Sequence, residues 1–428
     1  MNGTRQTPRT STRQIAAPVT RVGATPLALL CCVAGALSQL KVQMIGEVYL
    51  TELMLPVLAL IAFAAGGARG LFRQRVFWAL ALAGVVTLAG YVVSDLVRDT
   101  MAAQYLRGWG RVGLVVSGFV SAAVLVANDR RNLWWLVSGM GVCGVLYLRF
   151  VEHMPVSLWK FGYGVPMIMA MAAGAHFLPR RLTIAGFVVV ALVSIQYDSR
   201  IYGAVCLGIA SVLWARSARP ALALTGLRRL WRLALPLSVA AVVLLYLLVW
   251  TESAWHAARH ESSDFGRSVG LTVGVEAIKR SPLIGYGSWT NDRELSGLAA
   301  RAYEDKAGYR VFGDDVLFVA HSQIVQAWME GGVLGAAFFI VYGIWLVRSL
   351  KYAALDRALD SMTPVFLALL MFALWDLIMS PFSAPHRVPI VLACASLVAL
   401  ALERSGRFRP RQASVADGPQ RAVPGAAG

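Results

Sequence analysis

The sequence predicts an all-α, polytopic membrane protein, on three observations. Of its 428 residues, 57% are hydrophobic and 15% are charged, against about 25% charged in an ordinary soluble chain. Apolar runs of 17 to 25 residues recur from end to end, each able to cross roughly 30 Å of hydrocarbon. The runs are continuously apolar and do not alternate with polar residues, which excludes a membrane β-barrel.

Hydropathy divides the chain into about twelve transmembrane helices joined by short loops, with one long exception. A polar, Arg-rich tail over 1–24 precedes helices one to nine within 25–250. The long loop covers 251–320, helices ten to twelve lie within 321–404, and 405–428 is an Arg-, Pro- and Ala-rich tail without periodicity. The seventh and eighth spans are separated only by Asp198 and read as one hairpin. With the N-terminus in the cytoplasm, 24 of the 40 Lys and Arg residues fall in inside segments and eight in short outside loops. That asymmetry assigns both termini to the cytoplasm and the long loop to the outer face.

The net charge of +17 is distributed over these loops and fits anionic lipid head groups. No basic run interleaved with aromatics forms a nucleic-acid groove, so nucleic acid is excluded as a partner. The five cysteines all lie inside apolar runs, and neither a disulfide framework nor a metal site follows from them. Trp134 and Trp135 read as interface anchors.

The long loop carries its own order. Arg267 to Arg280 reads as a helix with apolar Val269, Leu271, Val275 and Ile278, stopped by Pro282. Gly285 and Gly287 punctuate the following stretch. These apolar residues give the loop something to bury, and an ordered cap on the bundle is expected.

Ionisable residues beside the spans are unevenly placed. Glu47, Glu52, Asp95, Glu152, His153, Asp198, Arg200, His321, Glu330, Asp376, His386 and Arg387 all fall toward outer helix ends. A polar site facing the outer leaflet produces such a bias, and so does interfacial snorkelling. His321 stands where the long loop becomes an apolar helix, and an imidazole there can accept a proton from an attacking hydroxyl. Arg200, at the start of the eighth span, has a planar fork of donors suited to a phosphate. Gly331 and Gly335 form a small-xxx-small pair for close helix packing, and Glu330 lies on roughly the face opposite His321.

The stretch AHSQIVQAWMEGGVLG, ending at Gly335, resembles the signature of the O-antigen ligase and O-antigen polymerase superfamily. There a His is followed by Asn or Ser, an apolar helix and Glu-x-Gly-x-x-Gly. RSVGLTVGVEAIKRSPLIGYGSWT, from Arg267, is similar to that superfamily's Arg-led helix closed by Pro-Leu-x-Gly-x-Gly, and DSRIYGAVCLGIA is similar to its Ser-Arg-led span. The resemblance implies an inverting, metal-independent transferase of the membrane C-type glycosyltransferase kind in the bacterial inner membrane, with no cofactor. It implies a glycan donor on undecaprenyl diphosphate, a lipid A–core or growing-glycan acceptor, and a periplasm-facing site; a chain-length regulator is a further partner it allows. By the same likeness His321 activates the acceptor hydroxyl while Arg200 and Arg267 hold the diphosphate. Ser322 stands where many O-antigen ligases have Asn, which points to a polymerase at least as strongly as to a ligase. The competing class is a lipid-linked glycan flippase, which would keep moving its cargo after His321→Ala.

Overall fold

In the computed structural model, described residues comprise 25–66, 68, 70–197, 199–217, 254–289, 293–307 and 320–408. The expected ninth span at 231–250, the N-terminal tail, all but 405–408 of the C-terminal tail and Asp198 lie outside them. The architecture is helical, apart from a short antiparallel hairpin of β1 (Lys41–Gln43) and β2 (Glu47–Tyr49). The helices before the long loop are α1 (Pro26–Ala36), α2 (Leu50–Ala64), α3 (Arg75–Val97), α4 (Ala102–Asn128), α5 (Arg131–Ser138), α6 (Gly144–Phe150), α7 (Gly164–Gly174), α8 (Arg180–Gln196) and α9 (Arg200–Ser217). A π-helical stretch at Gly139–Cys143 joins α5 and α6 into one rod. The loop contributes α10 (Ala254–Arg280) and α11 (Arg293–Ala307). The chain then closes with α12 (Gln323–Lys351), α13 (Thr363–Met379) and α14 (Ala384–Arg404).

Five of these rods are long and apolar enough to cross a membrane, namely 75–97, 102–128, 131–150, 323–356 and 384–404. Shorter apolar helices cover 26–39, 50–64, 164–174 and 363–379. An all-α, polytopic architecture is therefore what the described residues form. As expected, α8 and α9 pack against each other as a hairpin.

Small residues set the closest packing. On α3, a Cβ at Gly90 would lie 2.6 Å from the Gly335 nitrogen and 2.9 Å from the Gly331 carbonyl oxygen. The α3 and α12 backbones therefore touch where the Gly331–Gly335 pair predicts it. One turn along α3, the Thr87 hydroxyl donates to the Leu334 carbonyl at 3.2 Å and accepts from the Phe338 N–H at 2.9 Å. Phe119, Phe338, Phe339, Tyr342 and Phe366 fill the core around this contact.

The two ends of the bundle differ. At one end Arg357 meets Asp360 and Glu403, and Arg130 joins the same carboxylates. At the other, Glu52 pairs with Arg387, Asp95 accepts from Trp109 and Ser288, and Asp376 meets His386. Glu52, Asp95, Asp376, His386 and Arg387, all singled out for outer helix ends, thus gather at a common end of the bundle.

Three sequence expectations need correction. Trp134 is buried and donates to the Ala173 carbonyl at 3.0 Å, so it fastens α5 to α7 rather than anchoring an interface. Arg107 and Arg111, two of the eight Lys and Arg residues assigned to short outside loops, lie inside α4, which already starts at Ala102. The loop helix begins at 254 instead of 267, because its first half lacks the apolar period that marks its second half.

Candidate functional site

His321 is the residue before the N-cap of α12. Ser322 caps that helix, its hydroxyl accepting from the Val325 N–H at 3.4 Å and donating to the Leu377 carbonyl at 3.3 Å. His321 is therefore fixed between the cap helix α10 and the end of α13. On the α10 side, a Cβ at Gly274 would lie 2.6 Å from Val325 Cγ1 and 3.5 Å from Ala320 Cβ. Arg267 lies seven residues earlier, about two turns, and so shares that face of α10. The imidazole is half-buried, and burial followed by the Arg267 charge pushes its pKa below the ordinary histidine value. Both causes disfavour imidazolium, leaving a neutral ring able to accept a proton.

The α13 side leads to Arg200. The Tyr202 ring stands edge-on to Phe372 at 5.5 Å, which brings the first turn of α9 to the last turns of α13. Four residues on, Asp376 receives the Ser380 hydroxyl at 2.7 Å and faces His386 Nδ1 at 3.0 Å. Several polar atoms around this junction are buried without a partner: the Ser199 hydroxyl, Arg200 Nε and both amide atoms of Gln323. Buried polar groups are nearly always satisfied, so these are places where a polar ligand would complete the structure. Arg267 is thus near enough for its charge to act on His321. Arg200 is connected to them through α13 rather than by a described contact.

Beneath this junction α12 is broken. Gly332 has φ 67° and ψ −165°, a conformation open essentially to glycine alone. The stretch from Pro282 to Ser288 fills the break. The Tyr286 and Gly287 N–H groups donate to the Met329 and Glu330 carbonyls at 2.8 and 2.9 Å, and the Val333 N–H donates to the Pro282 carbonyl at 2.9 Å. Arg98, at the end of α3, holds the same stretch through the Gly285 carbonyl and the Ser281 hydroxyl, both at 2.9 Å. The expected cap is ordered accordingly: Val269, Val273 and Ala277 of α10, Leu295 and Ala299 of α11, Tyr286 and Met329 form one apolar cluster. The Pro-Leu-Ile-Gly-Tyr-Gly and Glu-Gly-Gly elements, distant in sequence, are two halves of one joint.

Sequence reasoning missed the ion pair below that joint. Arg111 and Glu330 are both buried, and one guanidinium nitrogen contacts Glu330 Oε2. That carboxylate also receives Tyr91 Oη at 2.7 Å and Gln326 Nε2 at 3.1 Å, while Arg111 donates to the Phe382 carbonyl at 2.7 Å. The available signal was two opposite charges, one in an apolar helix and one at the edge of another. Glu330 has Tyr91, Arg111 and Gln326 as its described partners, with no described contact to His321.

Residues 185–340 match the O-antigen ligase family. The match begins in α8, ends in α12 and includes Arg200, Arg267, His321 and both halves of the joint. It bears out the resemblance to the O-antigen ligase and polymerase superfamily, and it supports glycosyl transfer of that general type by an integral membrane protein. No curated protein matches the chain.

Proposed function

We propose that the chain is an inverting glycosyltransferase that moves an undecaprenyl-diphosphate-linked glycan to a sugar hydroxyl at the periplasmic face, as an O-antigen ligase or as a polymerase of O-antigen or exopolysaccharide repeats. The observation that carries the proposal is His321, half-buried, kept neutral and set beside Arg267 in the region that matches the family.

In this reading the acceptor hydroxyl attacks the anomeric carbon while His321 takes its proton. The bond from that carbon to the diphosphate oxygen breaks, and the electron pair leaves with undecaprenyl diphosphate. Attack opposite the leaving group inverts the configuration. Negative charge grows on the departing diphosphate, and Arg267 and Arg200 stabilise it through bidentate hydrogen bonds. The reading assigns this charge neutralisation to guanidinium groups rather than to a metal ion. The unpaired Nε of Arg200 and the unpaired amide of Gln323 supply further polar contacts beside the centre.

The subtype does not turn on Ser322. Its hydroxyl caps α12, and Asn serves equally well at an N-cap; a Ser in place of Asn is compatible with either product. Reconstitution with undecaprenyl-diphosphate glycan separates them. Product that grows without lipid A–core identifies a polymerase, and product that requires lipid A–core identifies a ligase. Chelator-insensitive transfer is expected. Glycan that crosses the bilayer unjoined, in wild type and in His321→Ala alike, would replace the proposal with the flippase reading.

A further inference from the structure

A cavity lies at the same end of the bundle, lined by Arg111, the ion-pair partner of Glu330. Its volume is about 620 Å³. The β1–β2 hairpin and the first turns of α2, α4 and α14 enclose it, with Met44, Ile45, Leu53, Leu106 and Leu114 among its apolar lining. Most of those side chains are themselves exposed, so the cavity opens sideways where an integral membrane protein meets lipid.

Its polar lining holds several N–H donors beside the Glu47 carboxylate, which Lys41 neutralises. Arg111 is 2% exposed, and its Nε has no partner although its other nitrogens are occupied by Glu330 and Phe382. Trp289 stacks over the same guanidinium, 5.0 Å from its centroid, and the buried indole Nε1 is equally unpartnered. Trp289 is held there with φ 54°, a left-handed backbone that costs a non-glycine residue conformational energy. Arg107, exposed on α4, donates to the Ile45 carbonyl and has no acidic partner among the described residues. Arg387 also lines the cavity but is committed to Glu52. Two buried donors without acceptors, one uncompensated guanidinium and an apolar wall open to lipid define the missing occupant. It has an anionic oxygen-bearing head and a hydrocarbon tail.

We infer that this cavity binds one anionic glycerophospholipid, its phosphate oxygens accepting from Arg111 Nε, Trp289 Nε1 and Arg107 and its acyl chain lying along the α2–α4 wall. Among its lining residues are neither His321, Arg267 nor Arg200, so the lipid is a resident one that is not consumed. It steadies the joint from below, because Arg111 holds Glu330 and Trp289 directly follows the stretch that fills the α12 break. This inference stands whether or not the chain transfers glycan.

The experiment is native mass spectrometry of the full chain, released from bilayers containing phosphatidylglycerol, phosphatidylcholine and undecaprenyl phosphate. Wild type should retain one phosphatidylglycerol. Trp289→Phe keeps the ring and removes only the donor, and Arg107→Gln removes an exposed charge; each should weaken retention about tenfold or more, the loss expected for one hydrogen bond to a charged group. Circular dichroism confirms that both variants keep the helical fold. Equal retention of phosphatidylglycerol by wild type and both variants would overturn the inference. So would preferential retention of phosphatidylcholine, or of undecaprenyl phosphate in a manner sensitive to Trp289→Phe, which would make the cavity a donor-lipid site.

Discussion

Removing the Glu330 carboxylate should be far more damaging than removing the whole ion pair. Glu330→Ala leaves Arg111 charged at 2% exposure, with the Phe382 carbonyl as its remaining strong acceptor. An uncompensated buried charge of this kind costs about 3–5 kcal/mol. Tyr91 Oη and Gln326 Nε2 lose their acceptor as well, which argues for the upper part of that range. Arg111→Met strands the carboxylate instead, though Tyr91 and Gln326 still donate to it, so its cost should be nearer the lower part. In the double variant Arg111→Met with Glu330→Leu neither charge is left alone, and the apolar pair suits the surrounding Tyr91 and Phe382 rings. Its cost should fall below that of Glu330→Ala alone, and so short of the sum of the singles by about 3 kcal/mol or more. Equilibrium unfolding of the detergent-solubilised protein, followed by tryptophan fluorescence, measures all four corners of the cycle. Additivity within about 0.5 kcal/mol would show that the two groups are not coupled and would refute the description of this network.

Gly332→Ala should open the joint between α12 and the Pro282–Ser288 stretch, since the new Cβ would meet the Ile284 carbonyl carbon at 2.8 Å in a backbone conformation that alanine avoids. The strain alone costs about 1–3 kcal/mol, and faster hydrogen exchange at the Tyr286 and Gly287 amides is the expected readout. Transfer should persist below pH 6.5, because burial and Arg267 lower the His321 pKa; the rate declines only as acid protonates the imidazole. Arg267→Gln removes the repelling charge, so the acid limb of the kcat profile should move to higher pH as the overall rate falls, and an unmoved limb would separate the two residues. Ser322→Ala should cost about 1 kcal/mol through loss of the α12 cap, while Ser322→Asn should be nearly neutral in thermal unfolding.

The helical class, a polar end shared by several ionisable residues and the family likeness of the His321 stretch were all legible because each is local. An apolar run, a helix-end charge bias and an Arg-led loop helix are written in consecutive residues. What stayed hidden depends on partners far along the chain. Gly331 and Gly335 in an apolar run read as close packing, which they also provide, but the break at Gly332 between them exists because residues near 285 supply its hydrogen bonds. Arg111 at the edge of an apolar run reads as an outside-loop residue until Glu330, 219 residues away, takes its charge. Trp134 was misplaced for a similar reason: aromatic residues at a span end suit an interface, and only the packing of α7 reveals the buried carbonyl to which the indole donates. Arg200 and His321 could be chosen as reactive types, but their link through the last turns of α13 is a tertiary fact.

Proton abstraction by His321 is the claim on which the functional reading rests. The most direct measurement uses His321→Ala in proteoliposomes with a labelled undecaprenyl-diphosphate glycan and follows both donor binding and release of undecaprenyl diphosphate. The account predicts donor bound as in wild type and transfer slowed by about 10²–10⁴-fold, the contribution of a general base. Transfer by this variant at the wild-type rate would contradict it.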